Sequence, residues 1–310
     1  MITWFMGTGF FASHCLRSLV QAGLSPDLVV TMPPRPSGRR GMSESPTLVE
    51  STASDLSLNL HRSSKVNSDT YLLDRMKNET PDCIFVVDFG QKVGEPYLST
   101  PRGGCLNVHP SLLPLYRGAA PVQRAIMEGQ SDTGVTVFRL VEEMDAGPVV
   151  IQERASIEEN ETSGELLFRL AYIGGVLLFR GVQLILDKEN PLQPQNSLIA
   201  TYAPKIDKKE ALLSWNLSAR SIHCKVRALN PSPGAYLYIQ GCRVKIWSTE
   251  VVDVIQGSSG VLSIDDSGFP VVKCSSGAVR LLEVQPEGKK RLSGVEWVRG
   301  SQLSEGEILS

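Results

Sequence analysis

The sequence predicts an α/β protein in two parts: a mostly parallel β-sheet with helices on both faces, then a smaller β-barrel. Three observations predict it. Strand-like apolar runs alternate with helical patterns over the first two-thirds of the 310 residues. The segment KENPLQPQNS, residues 188–197, is polar and rich in Pro and Asn, as a linker is. Beyond it, short β-rich runs are punctuated by glycine turns. The expected division is a catalytic domain over 1–187, a linker over 188–204 and a β-barrel over 205–310.

In chain order, residues 2–6 are an apolar strand, and Gly7-Thr8-Gly9 leads into a helical pattern ending near Ala22. Residues 28–32 and the wholly apolar 83–87 are the second and third strands. Residues 106–109 form a strand and 119–128 a helix. Residues 133–141 and 149–153 read as a strand pair, and 162–187 as a long helix. Alternating βα units imply a parallel sheet. After the linker come one helix, over 217–229, and the strand runs AYLYIQGCRVKIW, GVLSIDDSGFPVVKC and SSGAVRLLEVQ.

The composition is that of a soluble globular protein, 42% apolar and 21% charged. A net charge of −2 gives no global field for a polyanion, so any basic surface must be local. Six scattered cysteines have no C-x-x-C pair, and the several inside apolar strand patterns read as buried reduced thiols, which suits a cytoplasmic setting. The opening apolar run breaks at Gly7 and does not read as a signal peptide; no apolar stretch is expected to reach membrane-spanning length.

The G-T-G turn after the first strand is a partial dinucleotide fingerprint. A ribose-binding acid belongs at the end of the second strand, where TMPPRP has none. A tight strand–helix turn explains the glycines as well.

The chemistry concentrates at the end of the 106–109 strand. Alternation puts Asn107 and His109 on one face, and Pro110 stops the strand. Ligands bind at the carboxyl ends of strands in open α/β sheets. An amide donor beside an imidazole suits a reaction that makes an oxyanion and moves a proton. Asp145, in the turn of VEEMDAGPVV, is a carboxylate able to orient that imidazole and raise its pKa. Two satisfied structural polar groups and an ordinary turn aspartate are the alternative. No second His or Cys nearby suggests a metal site.

LNVHPSLLPLYRGAAPVQRAI, followed by TGVTVFRLVEEMDAGPVV, resembles the 10-formyltetrahydrofolate-dependent formyltransferases. MPPRPSGRRGMSESP, TYAPKIDKKEALLSW, RALNPSPGAYL and QPEGKK extend the resemblance along nearly the whole chain, toward the branch that formylates initiator methionyl-tRNA. The resemblance implies a Rossmann-like first domain and an OB-like barrel. It makes Asn107, His109 and Asp145 the catalytic trio. It puts Ser111, Leu112, Leu113 and Pro114, with Phe89 and Gly90, against the folate. It implies a bacterial cytoplasmic monomer that uses 10-formyltetrahydrofolate as co-substrate and no metal. Asp88 and Pro148 depart from the family pattern, which more often has a small and a polar residue there.

Residues 201–250 carry eight Lys/Arg against three acids, and small barrels often bind nucleic acid. The expected RNA contacts are Arg39 and Arg40 in the RPSGRRG loop, with Lys205, Lys208, Lys209, Lys289 and Lys290. Alternative readings are a sugar-nucleotide formyltransferase, a formyltetrahydrofolate hydrolase, a nicotinamide-dependent oxidoreductase and a non-catalytic RNA-binding module. The last leaves the Asn-x-His and Asp set unexplained, and the missing ribose acid argues against the oxidoreductase.

Overall fold

A computed structural model describes residues 1–37, 43–187, 192–253, 256–301 and 303–309. Arg39 and Arg40 lie outside the described residues. The chain divides into two compact units. The first comprises Met1–Gly118, Asp132–Ser156 and Leu167–Ala203; the second comprises Ala119–Ser131, Ile157–Leu166 and Pro204–Ser310.

Through the first segment run β1 (Thr3–Gly7), α1 (Phe10–Gln21), β2 (Leu28–Thr31), β3 (Arg35–Ser37), β4 (Ser43–Ser45), α2 (Leu48–Asp55), β5 (Leu60–Arg62), α3 (Thr70–Glu79), β6 (Cys83–Val87) and β7 (Cys105–His109). Next come α4 (Pro121–Met127), β8 (Asp132–Arg139), β9 (Val149–Ser156) and α5 (Ser163–Leu186). The main sheet has seven strands in the order β5-β2-β1-β6-β7-β8-β9. It is parallel as far as β7, and β8 and β9 add antiparallel. The parallel alternation read from the sequence holds. β5, α2 and α3 are additions to it.

Local chemistry explains the elements. β1, β2 and β6 are buried along their whole length, as a parallel sheet covered on both faces requires. In α1, Phe11, Cys15, Leu16 and Leu19 make one buried stripe. Thr47 and Asp69 cap α2 and α3, accepting from the Glu50 and Leu72 N–H. Pro121 opens α4 at a position where its missing N–H costs nothing.

One sequence expectation fails at α5. By length and composition this 24-residue helix is apolar enough to cross a membrane. Its hydropathy reflects a core position instead. A Cβ at Gly174 would press on Val108 and Cys15, and one at Gly175 on the backbone of Cys15 and Leu19. Ser18 Oγ donates to the Tyr172 carbonyl at 2.6 Å. The two glycines let α5 lie directly against α1 and β7.

The second unit contains α6 (Ala219–Ala228), β10 (Ala235–Ile239), β11 (Cys242–Val252), β12 (Leu262–Ile264), β13 (Pro270–Lys273), β14 (Ala278–Pro286), β15 (Leu292–Ser293) and α7 (Gly294–Arg299). The strands form a six-stranded antiparallel sheet in the order β10-β11-β14-β13-β12, with β15 on β14. Inward residues such as Leu237, Val244, Ile246, Leu281 and Val284 share one core with Ile222 and Val226 of α6 and Trp297 of α7. Ser218 caps α6, and Ser293 with Glu296 makes a capping box on α7. Arg124 of α4 grips Glu210 with two bonds of 2.6 and 3.0 Å. That bond, and the Asp207 N–H, draw the Glu210 carboxyl down to about 2. The tracts PVQRAI and KIDKKEALLSW, far apart in sequence, therefore meet within this unit. All six cysteines are free thiols, and Cys242 alone is exposed.

Residues 192–203, which their Pro and Asn content marks as linker, belong to the first unit and are bonded to its loops. Gln193 pairs with Val149 in both directions. Thr201 accepts from Tyr116 N–H, its carbonyl accepts from Arg117, and Ala203 donates back to Arg117. Part of their polarity goes into backbone pairing with that unit.

Candidate active site

β7 ends where Pro110 removes the next ladder donor, so His109 is the last paired residue, opposite Thr136 of β8. His109 is 5% exposed. Its Nε2 lies 2.9 Å from the Tyr116 carbonyl oxygen. A carbonyl can only accept, so Nε2 holds the proton and the neutral ring offers its lone pair at Nδ1. Asp145 Oδ2 faces that nitrogen at 3.7 Å, too far for a hydrogen bond. The same oxygen accepts from Gly118 N–H at 2.8 Å.

The Asp145 charge does act to raise the histidine pKa, as the sequence reading expects, but it does not set the net shift. Burial pulls the His109 pKa below its ordinary value, and this outweighs the opposing pull of the Asp145 charge and the Tyr116 carbonyl. The resting imidazole is a neutral base. Asn107 shares this strand face by alternation and is half-buried. Its amide carries no hydrogen bond to the described residues.

The Ser111–Pro114 turn is built chiefly from buried polar pairing. Ser111 is fully buried and its hydroxyl donates to the Leu115 carbonyl. Thr136 Oγ1 donates to the Ser111 carbonyl and accepts from Leu113 N–H. Gln152 donates to the Leu113 carbonyl and to Thr136 Oγ1. Leu113 is buried, whereas Leu112 and Pro114 are half-exposed. The turn is thus rigid, and Leu112 and Pro114 are the side chains it leaves for contact. Phe89 is committed to the core with Met6 and Val30 and offers a ligand little more than its backbone. Gly90 is exposed.

Asp88, Phe89 and Gly90 border a cavity of about 450 Å³ with Thr8, Gly9 and Met32. Asp88 as a residue is exposed, yet its carboxylate folds against Gly9, where a Cβ would collide with it. Burial pushes this carboxyl up to about 6, against hydrogen bonds from Phe11 and Ala12 N–H. The Asp88 carbonyl accepts from Thr8 and Gly9 N–H. One residue thus takes up four donors at the start of α1, where a dinucleotide pyrophosphate would dock.

Among the expected RNA contacts, Lys205, Lys208, Lys209, Lys289 and Lys290 are all exposed. Lys208 and Lys209 stand on a single turn capped by Asp207. The sequence reading missed a cation–aromatic face beside them. Tyr236 and Tyr238 of β10 pair with Lys245 and Arg243 of β11, so all four side chains share a face. Arg243 lies 4.1 Å from the Tyr236 ring centre, and Arg291 lies 4.0 Å from that of Trp247. Burial and the charges of Arg243 and Arg291 lower the Lys245 pKa. The period-two pattern YLY…RVKIW carried the signal. Among the described residues no group of acids, histidines and cysteines is arranged to hold a metal ion.

Similarity to known proteins extends along nearly the whole chain. Residues 1–182 match the family described as Formyl transferase, and residues 205–302 match Formyl transferase, C-terminal domain. The chain is 38% identical over 307 residues to the methionyl-tRNA formyltransferase of Moorella thermoacetica, covering 98% of each chain. The methionyl-tRNA formyltransferase from Clostridium thermocellum superposes with a TM-score of 0.55 at 14% identity, over 95% of this chain and 100% of that one. HypX from Aquifex aeolicus, solved in complex with tetrahydrofolic acid, superposes with a TM-score of 0.63 at 17% identity, over 96% of this chain and 47% of that one. At these identities the superpositions speak for the fold.

Proposed function

The chain belongs to the formyl transferase family, and from that premise we propose how its site works. The enzyme transfers a formyl group to the amine of methionyl-tRNA. The donor is 10-formyltetrahydrofolate, held beside the rigid Ser111–Pro114 turn. A free amide at Asn107 and a buried lone pair at His109 suit a carbonyl donor that needs an oxyanion partner and a base.

The methionyl amine attacks the formyl carbon as a neutral nucleophile. Its ordinary pKa of about 7.7–8.0 leaves a useful neutral fraction near pH 7.5. The formyl oxygen becomes an oxyanion, which the Asn107 amide stabilises. A donor aimed at such charge contributes about 3–4 kcal/mol. The proton leaving the amine passes to His109 Nδ1, and Asp145, 3.7 Å away, stabilises the imidazolium. The carbon–N10 bond then breaks as N10 takes up that proton. Carbon gains one nitrogen and loses another, so no oxidant is needed and no covalent enzyme intermediate forms.

The observation that carries this assignment is the His109 tautomer. Nε2 is tied to the Tyr116 carbonyl, and the basic nitrogen faces a carboxylate. The exposed lysines Lys205, Lys208, Lys209, Lys289 and Lys290, with the Tyr236–Arg243–Lys245–Arg291 face, bind the tRNA backbone. The enzyme works as a cytoplasmic monomer. The test is to supply methionyl-tRNA and 10-formyltetrahydrofolate to the parent and to His109→Ala. The parent is expected to release formyl-methionine on mild hydrolysis of the product tRNA, and His109→Ala to lose about 10²–10⁴ in turnover. Near-normal turnover in the variant would remove His109 from the mechanism.

A further inference from the structure

Asp145 sits at φ +51°, in the left-handed region, which an aspartate enters as a single residue when hydrogen bonds secure it. Something must hold it there. The Gln195 side-chain amide donates to the Asp145 carbonyl at 2.8 Å and to the Gly147 carbonyl at 2.7 Å. Both N–H groups of one amide are therefore spent on the turn that carries the carboxylate. Its oxygen accepts from Arg117 Nε at 3.1 Å and Nη2 at 2.8 Å.

Arg117 is 2% exposed and sits in the loop that holds the two site residues. The preceding residue, Tyr116, accepts from His109, and the following one, Gly118, donates to Asp145. The 192–203 segment is fixed on that loop by the Thr201 and Ala203 pairing already described. The Gln195 side chain is thus bonded both to the Asp145 turn and to the loop gripping His109.

Only a neutral amide meets both demands. A carboxylate in its place accepts from Arg117 but has no N–H for two carbonyls. An aliphatic chain fills the space and does neither. The amide also stands between a buried guanidinium and the Asp145 turn, leaving the Asp145 carboxylate to the imidazole. The charged groups around the pair are Arg117 and Glu143, whose carboxylate lies 3.8 Å from Arg117 Nη1 and is itself largely exposed.

We propose that Gln195 is a positioning residue. It fixes the Asp145 backbone and so sets the spacing of Asp145 from His109, making the 192–203 strap a working part of the site. The proposal rests on the reading of His109 and Asp145 as a functional pair.

The test compares the full-length parent with Gln195→Met, Gln195→Glu and Asp145→Asn. His109 is titrated by NMR, and turnover and the Michaelis constant for 10-formyltetrahydrofolate are measured alongside. Melting temperature identifies any variant that fails to fold, and having two Gln195 variants keeps one usable. Gln195→Met is expected to lower the His109 pKa in the same direction as Asp145→Asn. It should cut turnover roughly tenfold to a hundredfold while the Michaelis constant stays within a small factor. Gln195→Glu keeps the Arg117 contact, yet should also lose turnover, because its oxygens face two carbonyls. If Asp145→Asn moves the titration and the folded Gln195 variants do not, the positioning role is wrong even where turnover falls. If Asp145→Asn leaves the titration unchanged, the pair itself is wrong and the proposal falls with it.

Discussion

His109 Nδ1 and Asp145 Oδ2 stand 3.7 Å apart, a charge contact without a hydrogen bond. The imidazole is held by its other nitrogen, so Asp145 does not choose the tautomer. What the carboxylate supplies is a field for the protonated ring. Burial opposes that ring's charge and prevails, leaving the His109 pKa below 6.5.

This sets the enzyme's own limb on the acid side of the rate profile, below the one that protonation of the substrate amine makes. The base must be neutral, so turnover should fall as pH drops through the lowered histidine pKa, below the ordinary 6.5. Asp145→Asn removes the raising influence and should shift that limb to lower pH while reducing the plateau. The same group affects stability. A depressed folded pKa contributes stability present above the unfolded value and lost as pH falls through the folded one. A limb that moves upward in Asp145→Asn would contradict the assignment.

Asn107→Ala should leave the Michaelis constant for the formyl donor within a few-fold and lower turnover by about 10²–10³, since its amide bonds to none of the described residues and is available to the oxyanion. Steady-state kinetics separates the two. A loss confined to the Michaelis constant would make Asn107 a binding group.

Asp88 gives a second pH signature, of opposite sign. Its folded pKa is raised to about 6 from an ordinary 3.8, with burial as the main cause. Its contribution to stability is therefore complete below the unfolded value and lost as pH rises through about 6. Asp88→Asn keeps an oxygen for the Phe11 and Ala12 N–H groups and cannot ionise. The parent's melting temperature should fall relative to the variant's as pH is raised from about 4 to about 7. Parallel curves would show that the carboxylate titrates normally.

Arg243→Ala with Arg291→Ala should raise the Michaelis constant for tRNA and reduce the slope of log affinity against log salt by about two. Binding of the folate donor should stay within a small factor. Filter binding at several salt concentrations measures the slope. An unchanged slope would place the RNA elsewhere.

The sequence announced the strand ending in Asn107 and His109 because alternation and Pro110 both mark it. Asp145 was legible through the family motif, since an isolated aspartate in a turn looks like any other. α3 escaped notice because only Leu72 and Met76 are buried along it, too few for a periodic signal. β5 is three residues long and carries no apolar run. Gln195 left no trace at all. It bonds to backbone carbonyls and to one distant arginine, and such partners impose no pattern on neighbouring residues. The sign of the His109 shift was hidden for a related reason: it is a contest between burial and charge that only three-dimensional packing decides.

Two absent side chains decide the fate of α5. A helix this apolar will associate with whatever apolar surface its outline matches, and Gly174 and Gly175 cut that outline to the backbone of α1 and the flank of β7. Its greasiness supplies the attraction, and the notch supplies the address. Filling the notch with a leucine would raise the helix's hydrophobicity and still evict it from its seat. A sticky rod would then be left facing water, and a more apolar sequence would yield a less soluble protein.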